Sequence, residues 1–167
     1  MKIELVKSNW YRELPYIQEA PINAGAHDHS YYKKYTQAGH QPATLFVDKC
    51  HLDSGMPELE PVETSFHFLS KVSYCVHKLK PGHYIPTHRD QYAYYADQNK
   101  IKNIEIIHRY IVFLEDGQDG HMLIINNQPI LNYTAGQVAG WSGTVPHSAL
   151  NFGLTNRYTL QVTGIIE

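Results

Sequence analysis

The feature that most restricts what this chain can become is its rhythm from Phe66 to the end. Short runs rich in Val, Ile, Tyr and Phe alternate there with Gly, Asn and Pro. "FHFLSKVSYCVHKLK" holds one long strand or two consecutive ones, closed by the Pro81-Gly82 turn. "IEIIHRYIVFLED" (Ile104–Asp116) is almost continuously β-branched, and "GHMLIINNQPILNY" (Gly120–Tyr133) reads as a hairpin turning at Asn126-Asn127-Gln128-Pro129. "GQVAGWSG", "HSALNF" and "RYTLQVTGII" complete the series. Strands this short bury their apolar faces only by stacking sheet on sheet or by closing into a barrel. The expected fold is therefore all-β, a sandwich or closed barrel.

The stretch before Phe66 reads as a mixed extension. "MKIELVKSNW" suggests an edge strand, and Ser8–Ala20 a short helix or two turns with Ser8 as the cap. Gly25–Gln41 is polar and turn-rich and reads as an irregular surface segment. Ala43–Lys49 suggests a strand and Asp53–Pro61 a loop, while Asp90–Lys100 reads as a short helix or lid. The organisation expected is a single domain over 1–167, with 1–70 packing as an extension on a core at 71–166. At 167 residues, 43% hydrophobic and 18% charged, the chain can bury a core. A net charge of -2, with no basic run beyond Lys33-Lys34, leaves no footprint for nucleic acid. No apolar run approaches a membrane span. Cys50 and Cys75 form no CxxC pair, which points to a reduced, cytoplasmic setting.

Chemistry enters at "PGHYIPTHRDQY" (Pro81–Tyr92). Residues i and i+2 of a strand share a face, so His88 and Asp90 stand side by side as half of a divalent-metal site. His147, which follows a Gly- and Pro-bearing bend and opens "HSALNF", supplies a third ligand from a later strand. Two imidazoles and a carboxylate on one side of a metal leave adjacent positions open, as non-haem Fe(II) chemistry requires. Ten residues further on, Arg157 shares a strand face with Thr159 and Gln161. An Arg inside a closed barrel needs an anion, and a dicarboxylate bridging Arg157 and the metal would satisfy both ends.

His88-x-Asp90, His147 and Arg157 resemble the signature of the Fe(II)/2-oxoglutarate-dependent dioxygenases. "LKPGHYIPTHRD", "HRYIVFLED" and "GQVAGWSGTVPHSALNFGLTNRYTLQVTG" are similar, in that order, to the core of aspartyl/asparaginyl β-hydroxylase-like members, with prolyl-hydroxylase-like members as the neighbouring group. The resemblance covers roughly Lys71–Ile166 and implies a double-stranded β-helix, the jelly-roll or cupin-like barrel, with a few short helices. It further implies that His88, Asp90 and His147 bind Fe(II), and that Arg157 holds the distal carboxylate of 2-oxoglutarate with Thr159 assisting. Tyr110 stands where such enzymes place a second polar contact to the co-substrate. O2 would complete the reaction, yielding succinate, CO2 and a hydroxylated small-molecule or peptidyl substrate.

Other histidines compete for attention. His51-x-Asp53 is explained by a turn at Ser54-Gly55, and His27-Asp28-His29 lies in a segment without strand pattern. His67, His77, His83 and His121 are expected to be satisfied or exposed. His108 or Arg109, if facing the cavity, would suit an anionic substrate. The tyrosines of "QYAYYADQ" would roof the metal pocket. Two rival classes stand beside the oxygenase: a cupin-type metalloenzyme without 2-oxoglutarate, and a non-catalytic barrel that binds a partner.

Overall fold

The structure is a computed structural model and describes residues 1–19 and 29–166. Ten strands are described: β1 (Ile17–Glu19), β2 (Val47–Leu52), β3 (Ser70–Leu79), β4 (Tyr84–His88), β5 (Ile107–Phe113), β6 (His121–Ile125), β7 (Gln128–Ile130), β8 (Val138–Ser142), β9 (His147–Asn151) and β10 (Arg157–Ile165). Three α-helices accompany them: α1 (His29–Gln37), α2 (Glu60–Ser65) and α3 (Ala93–Asn99). The strands form a six-stranded sheet ordered β1-β2-β3-β10-β5-β8 and a four-stranded sheet ordered β4-β9-β6-β7. Their pairings are all antiparallel. This is an antiparallel all-β double sheet, as the strand rhythm predicted, in the jelly-roll form that the family resemblance implied.

Apolar side chains fill two faces of the larger sheet. Between the sheets lie Ile111, Phe113, Ala139 and Trp141, opposite Leu123. On the outer face, Tyr74, Val76, Val112, Leu160 and Val162 meet Ile3, Tyr11 and the α2 flank through Leu59, Val62 and Phe66. Val76 and Leu160 are completely buried there, and each such side chain contributes about 1.5–3 kcal/mol. A third cluster, Tyr92 and Ala96 against Ile107 and Ile165, seats α3 on one end of the barrel.

Several local expectations change. The N-terminal residues make only an isolated bridge, Lys2 to Gln137, instead of an edge strand. A 3-10 helix spans Trp10–Glu13 with Asn9, not Ser8, at its cap position. Residues 29–37 are helical where an irregular segment was expected. β2 starts and ends later than Ala43–Lys49 and runs through His51; β1 and β2 extend the larger sheet, so the region before residue 70 adds strands as well as an outer cover. The β6–β7 turn is tighter than predicted. Asn126 and Asn127 both have positive φ and form it alone, while Gln128 and Pro129 already pair with Ile125 and Ile124. Consecutive left-handed residues match the strand twist, and Asn tolerates that conformation. Pro129 is accommodated because β7 is an edge strand.

Candidate metal centre

β4 and β9 are neighbours in the smaller sheet, and their register sets His88 directly opposite His147. The two rings lie 4.3 Å apart between centroids. Each holds its tautomer in the same way: His88 Nδ1–H donates to the Pro86 carbonyl at 2.8 Å and His147 Nδ1–H to the Val145 carbonyl at 2.9 Å. Both Nε2 atoms are thus left with lone pairs, facing a common point. Asp90 closes the group, with Oδ1 3.7 Å from His88 Nε2 and Oδ2 3.5 Å from His147 Nε2. One ligand atom from each residue lies within 4.8 Å of the others, so the three can hold a metal ion. Asp90 is not on the strand face, however. β4 ends at His88, and Asp90 reaches the group from the segment just beyond it.

Electrostatics prepare these groups for a cation. Burial depresses the pKa of both imidazoles, that of His147 to about 4, keeping them neutral at pH 7. Burial alone would raise the Asp90 pKa, but the Arg109 guanidinium and the two imidazoles outweigh it and hold the carboxyl below its ordinary value. Arg109 Nη1 lies 2.6 Å from Asp90 Oδ2, and its guanidinium sits over the Tyr92 ring at 4.9 Å. Trp141 backs His147 with its ring centroid 4.4 Å away.

The larger sheet faces this centre with polar rows set by register. Lys49, His77 and Thr159 are cross-strand partners on β2, β3 and β10. The next row is His51, Cys75 and Gln161, and the row beyond is Ser73, Thr163, Arg109 and Trp141. At the opposite end Arg157 pairs with Leu79. Asn151, at the foot of β9, donates to the Leu79 carbonyl at 2.7 Å and so marks the same level. His147 is four residues up β9, about 13 Å along the strand. A single cavity contains the metal group, Arg157, Thr159 and Gln161.

Arg157 is 3% exposed, and its Nε donates to the Tyr133 hydroxyl at 3.1 Å. Its Nη2 is buried with no partner. Burial lowers its pKa, opposed by the Tyr133 contact. Tyr133 is itself buried, stacked on Phe113 at 3.7 Å; it follows β7 in a turn, where no periodicity in the sequence marks it.

Tyr110 is not at the cavity. β5 turns Arg109 and Ile111 inward, so Tyr110 points to the outer face against Phe66 at 4.8 Å. Its paired residue, Gly140, makes room: a Cβ there would meet the Tyr110 ring at 2.4 Å. His108 stacks beside Tyr110 and is likewise outside, leaving Arg109 as the inward residue of that pair. His67, His83 and His121 bond backbone carbonyls, as expected, whereas His77 faces the cavity with its Nε2 unpartnered. His51 lines the cavity but is not in the metal group. His27 and Asp28 lie outside the described residues. The tyrosine-rich stretch does form a rim, Tyr92 beneath Arg109 and α3 beside it.

No family model and no curated protein sequence matches the chain. Among solved structures, a predicted oxalate decarboxylase from Thermotoga maritima matches with a TM-score of 0.52 at 16% identity, 99% of each chain being covered. KdgF from Halomonas sp. matches at 0.45 and 7%, covering 72% of this chain and 80% of that one. The cupin domain of Schizosaccharomyces pombe Cnp3 matches at 0.44 and 10%, covering 71% and 64%. The Thermotoga likeness, spanning both chains, agrees with the strand topology: the fold is a cupin-type jelly roll. The protein is thus a cupin-fold barrel carrying a His-Asp-His group that can hold a metal ion. Among the described residues, no helix is long and apolar enough to cross a membrane.

Proposed function

We propose that this protein is an Fe(II)- and 2-oxoglutarate-dependent oxygenase that hydroxylates a small-molecule or peptidyl substrate, releasing succinate and CO2. The observation that supports it best is the pairing, in one cavity, of the His88–Asp90–His147 group with a buried Arg157 whose Nη2 has no partner. A buried guanidinium left incomplete is costly, and a carboxylate is what its planar fork accepts. Two neutral imidazole nitrogens and one carboxylate suit Fe(II). Iron, when bound, would supply O2 activation coupled to oxidative decarboxylation of the co-substrate.

The chain's own residues bind, orient and exclude water. His88, Asp90 and His147 would hold the metal from one side of the cavity. Arg157, kept in place by Tyr133, would take the distal carboxylate, with the Thr159 hydroxyl nearby. Arg109 fixes the Asp90 carboxylate, and Tyr92 with α3 covers the end of the barrel.

The test is an anaerobic titration with Fe(II) and then 2-oxoglutarate, following the weak visible charge-transfer band of the chelated diacid. The band should appear, and should be lost in His88→Ala and Arg157→Leu. A second reading, a cupin-type metalloenzyme without 2-oxoglutarate, draws on a third imidazole, His77, in the same cavity. Iron binding without the band would favour it, and absence of any metal binding would favour a partner-binding barrel.

A further inference from the structure

At the α3 end of the cavity, four hydrogen-bonding atoms stand together without partners. Thr163 on β10, Arg109 on β5 and Trp141 on β8 are cross-strand neighbours in one row, and the Tyr92 ring lies 4.9 Å from the Arg109 guanidinium. All four residues line the cavity. The Thr163 hydroxyl, Arg109 Nε, Trp141 Nε1 and the Tyr92 hydroxyl are each buried with no hydrogen-bond partner among the described residues. The Tyr92 hydroxyl is close enough to Trp141 and Asp90 for both to act on its pKa, yet the geometry completes a bond with neither. Thr163 is 1% exposed, Tyr92 6% and Trp141 8%. Leaving one buried polar group incomplete is costly, and four in one patch call for a common partner.

The patch adjoins the metal group and is remote from Arg157. The Trp141 ring packs against that of His147 at 4.4 Å, whereas Arg157 is six residues from Thr163, about 20 Å along β10. The proposed co-substrate anchor and the patch thus lie at opposite ends of a cavity of about 1370 Å³, beyond the roughly 300–1,000 Å³ usual for one small molecule. Arg109 Nη1 is 2.6 Å from Asp90 Oδ2, so the guanidinium charge is already met and its Nε–H remains as a donor. Arg Nε and Trp Nε1 only donate, whereas the Thr163 hydroxyl can also accept. A carboxylate would only accept, and would face Asp90. An alcohol carries its acceptor and donor on one oxygen, but the donors on β5 and β8 and the hydroxyl on β10 sit on separate strands about 4.8 Å apart. An amide matches them: its carbonyl accepts from Arg109 Nε–H and Trp141 Nε1–H, one on each lone pair, and its N–H donates to the Thr163 hydroxyl.

We infer that Thr163, Arg109, Trp141 and Tyr92 form the substrate subsite, and that the substrate presents an amide to it. That the amide belongs to a substrate rests on the metal group being catalytic; the binding itself does not, and is tested without metal or 2-oxoglutarate. The chain holds two tryptophans, Trp10 and Trp141, so Trp10→Phe assigns their indole N–H signals in a proton–nitrogen NMR spectrum. The metal-free protein is titrated separately with acetamide, N-methylacetamide, acetate and isopropanol, probes of similar size that differ in their polar group. An amide should shift the Trp141 Nε1–H signal downfield to saturation, acetamide binding more tightly where the site reads a side-chain carboxamide and N-methylacetamide where it reads a peptide bond. Thr163→Val should weaken the amide about fivefold through the loss of one hydrogen bond. Thr163→Ser should retain the binding, and Arg157→Met should leave it unchanged. The inference is overturned if no probe moves the signal, if acetate or isopropanol binds more tightly than both amides, or if Thr163→Val binds the amide undiminished. Each of those results leaves the Fe(II)/2-oxoglutarate reading to its own titration, and a failed iron titration leaves the amide subsite standing in a partner-binding barrel.

Discussion

Replacing Arg157 and Tyr133 together by apolar residues should leave the metal-free protein close to the wild type in stability. The pair is an island of polarity: Arg157 is 3% exposed, Tyr133 2%, and a single 3.1 Å hydrogen bond joins them. Tyr133→Phe alone removes the one bond Arg157 makes, and losing a hydrogen bond to a buried charge costs about 1.5–3 kcal/mol. In a domain of this size that lowers Tm by roughly 3–12 °C, at about 2–4 °C per kcal/mol. The double variant Arg157→Met/Tyr133→Phe removes both partners and the unpartnered Nη2 together, so the desolvation penalty vanishes with the bond. Replacing buried charges by apolar groups of similar volume is often neutral or stabilising by about 1–4 kcal/mol. Against that stand the contacts of the guanidinium with the Phe113 and Tyr133 rings, each 5.8 Å away, worth about 0.5–2 kcal/mol. The expected balance is between a loss of about 2 and a gain of about 3.5 kcal/mol. Urea unfolding of the four proteins of the cycle, with a chelator present, measures it. A double variant destabilised by more than about 3 kcal/mol would show that Arg157 fastens the barrel, and would refute its being held ready for a ligand.

Other consequences can be measured as directly. Arg109→Met leaves the Asp90 carboxylate without its cation; loss of such a supporting contact should weaken Fe(II) binding about 10–100-fold by equilibrium dialysis, with the fold intact by circular dichroism. Burial first, and then the cations of Lys49, Arg109 and Arg157, hold His77 neutral in the folded state. The unfolded chain binds the extra proton below pH 6.5, as it does at the depressed His88 and His147, so the stability of the metal-free protein should fall as pH drops below 6.5, by up to about 1.4 kcal/mol per unit for each such imidazole; His77→Gln should remove one such share of the slope in denaturant titrations. Asn151 is fully buried and donates to the carbonyls of Leu79 and Thr155 while its Oδ1 accepts from Gly153 N–H. Asn151→Leu should cost on the order of 3 kcal/mol by leaving these groups unpaired, seen as a lower urea midpoint.

The metal group was legible because its residues sit at strand ends, where Gly and Pro punctuate the sequence, and antiparallel pairing then brings His88 opposite His147. The position of Asp90 was misread in detail, since the strand stops at His88. Tyr110 shows where strand alternation fails as a guide. Both faces of β5 are buried, Val112 under the N-terminal segment and Ile111 between the sheets, so "HRYIVF" is apolar on both sides and carries no phase. Packing alone decides which way Tyr110 turns. Tyr133 was invisible for a different reason: its partner Arg157 is 24 residues away, and nothing local marks the turn between β7 and β8 as the place that holds a guanidinium. Lys49 escaped notice and His51 was read as part of a turn because β2 belongs to the region read as an extension, and only its pairing with β3 turns them toward the cavity. Helix α1 carries a polar, tyrosine-rich sequence without strong start or stop signals, which is why it read as irregular.

The most direct test of the central claim is the Fe(II) content of the protein after anaerobic equilibrium dialysis. The wild type should hold one Fe(II) per chain, and His147→Ala and Asp90→Ala should hold none at the same free-metal concentration. A wild type that binds no iron, or variants that bind it undiminished, would show that His88, Asp90 and His147 are not a metal centre.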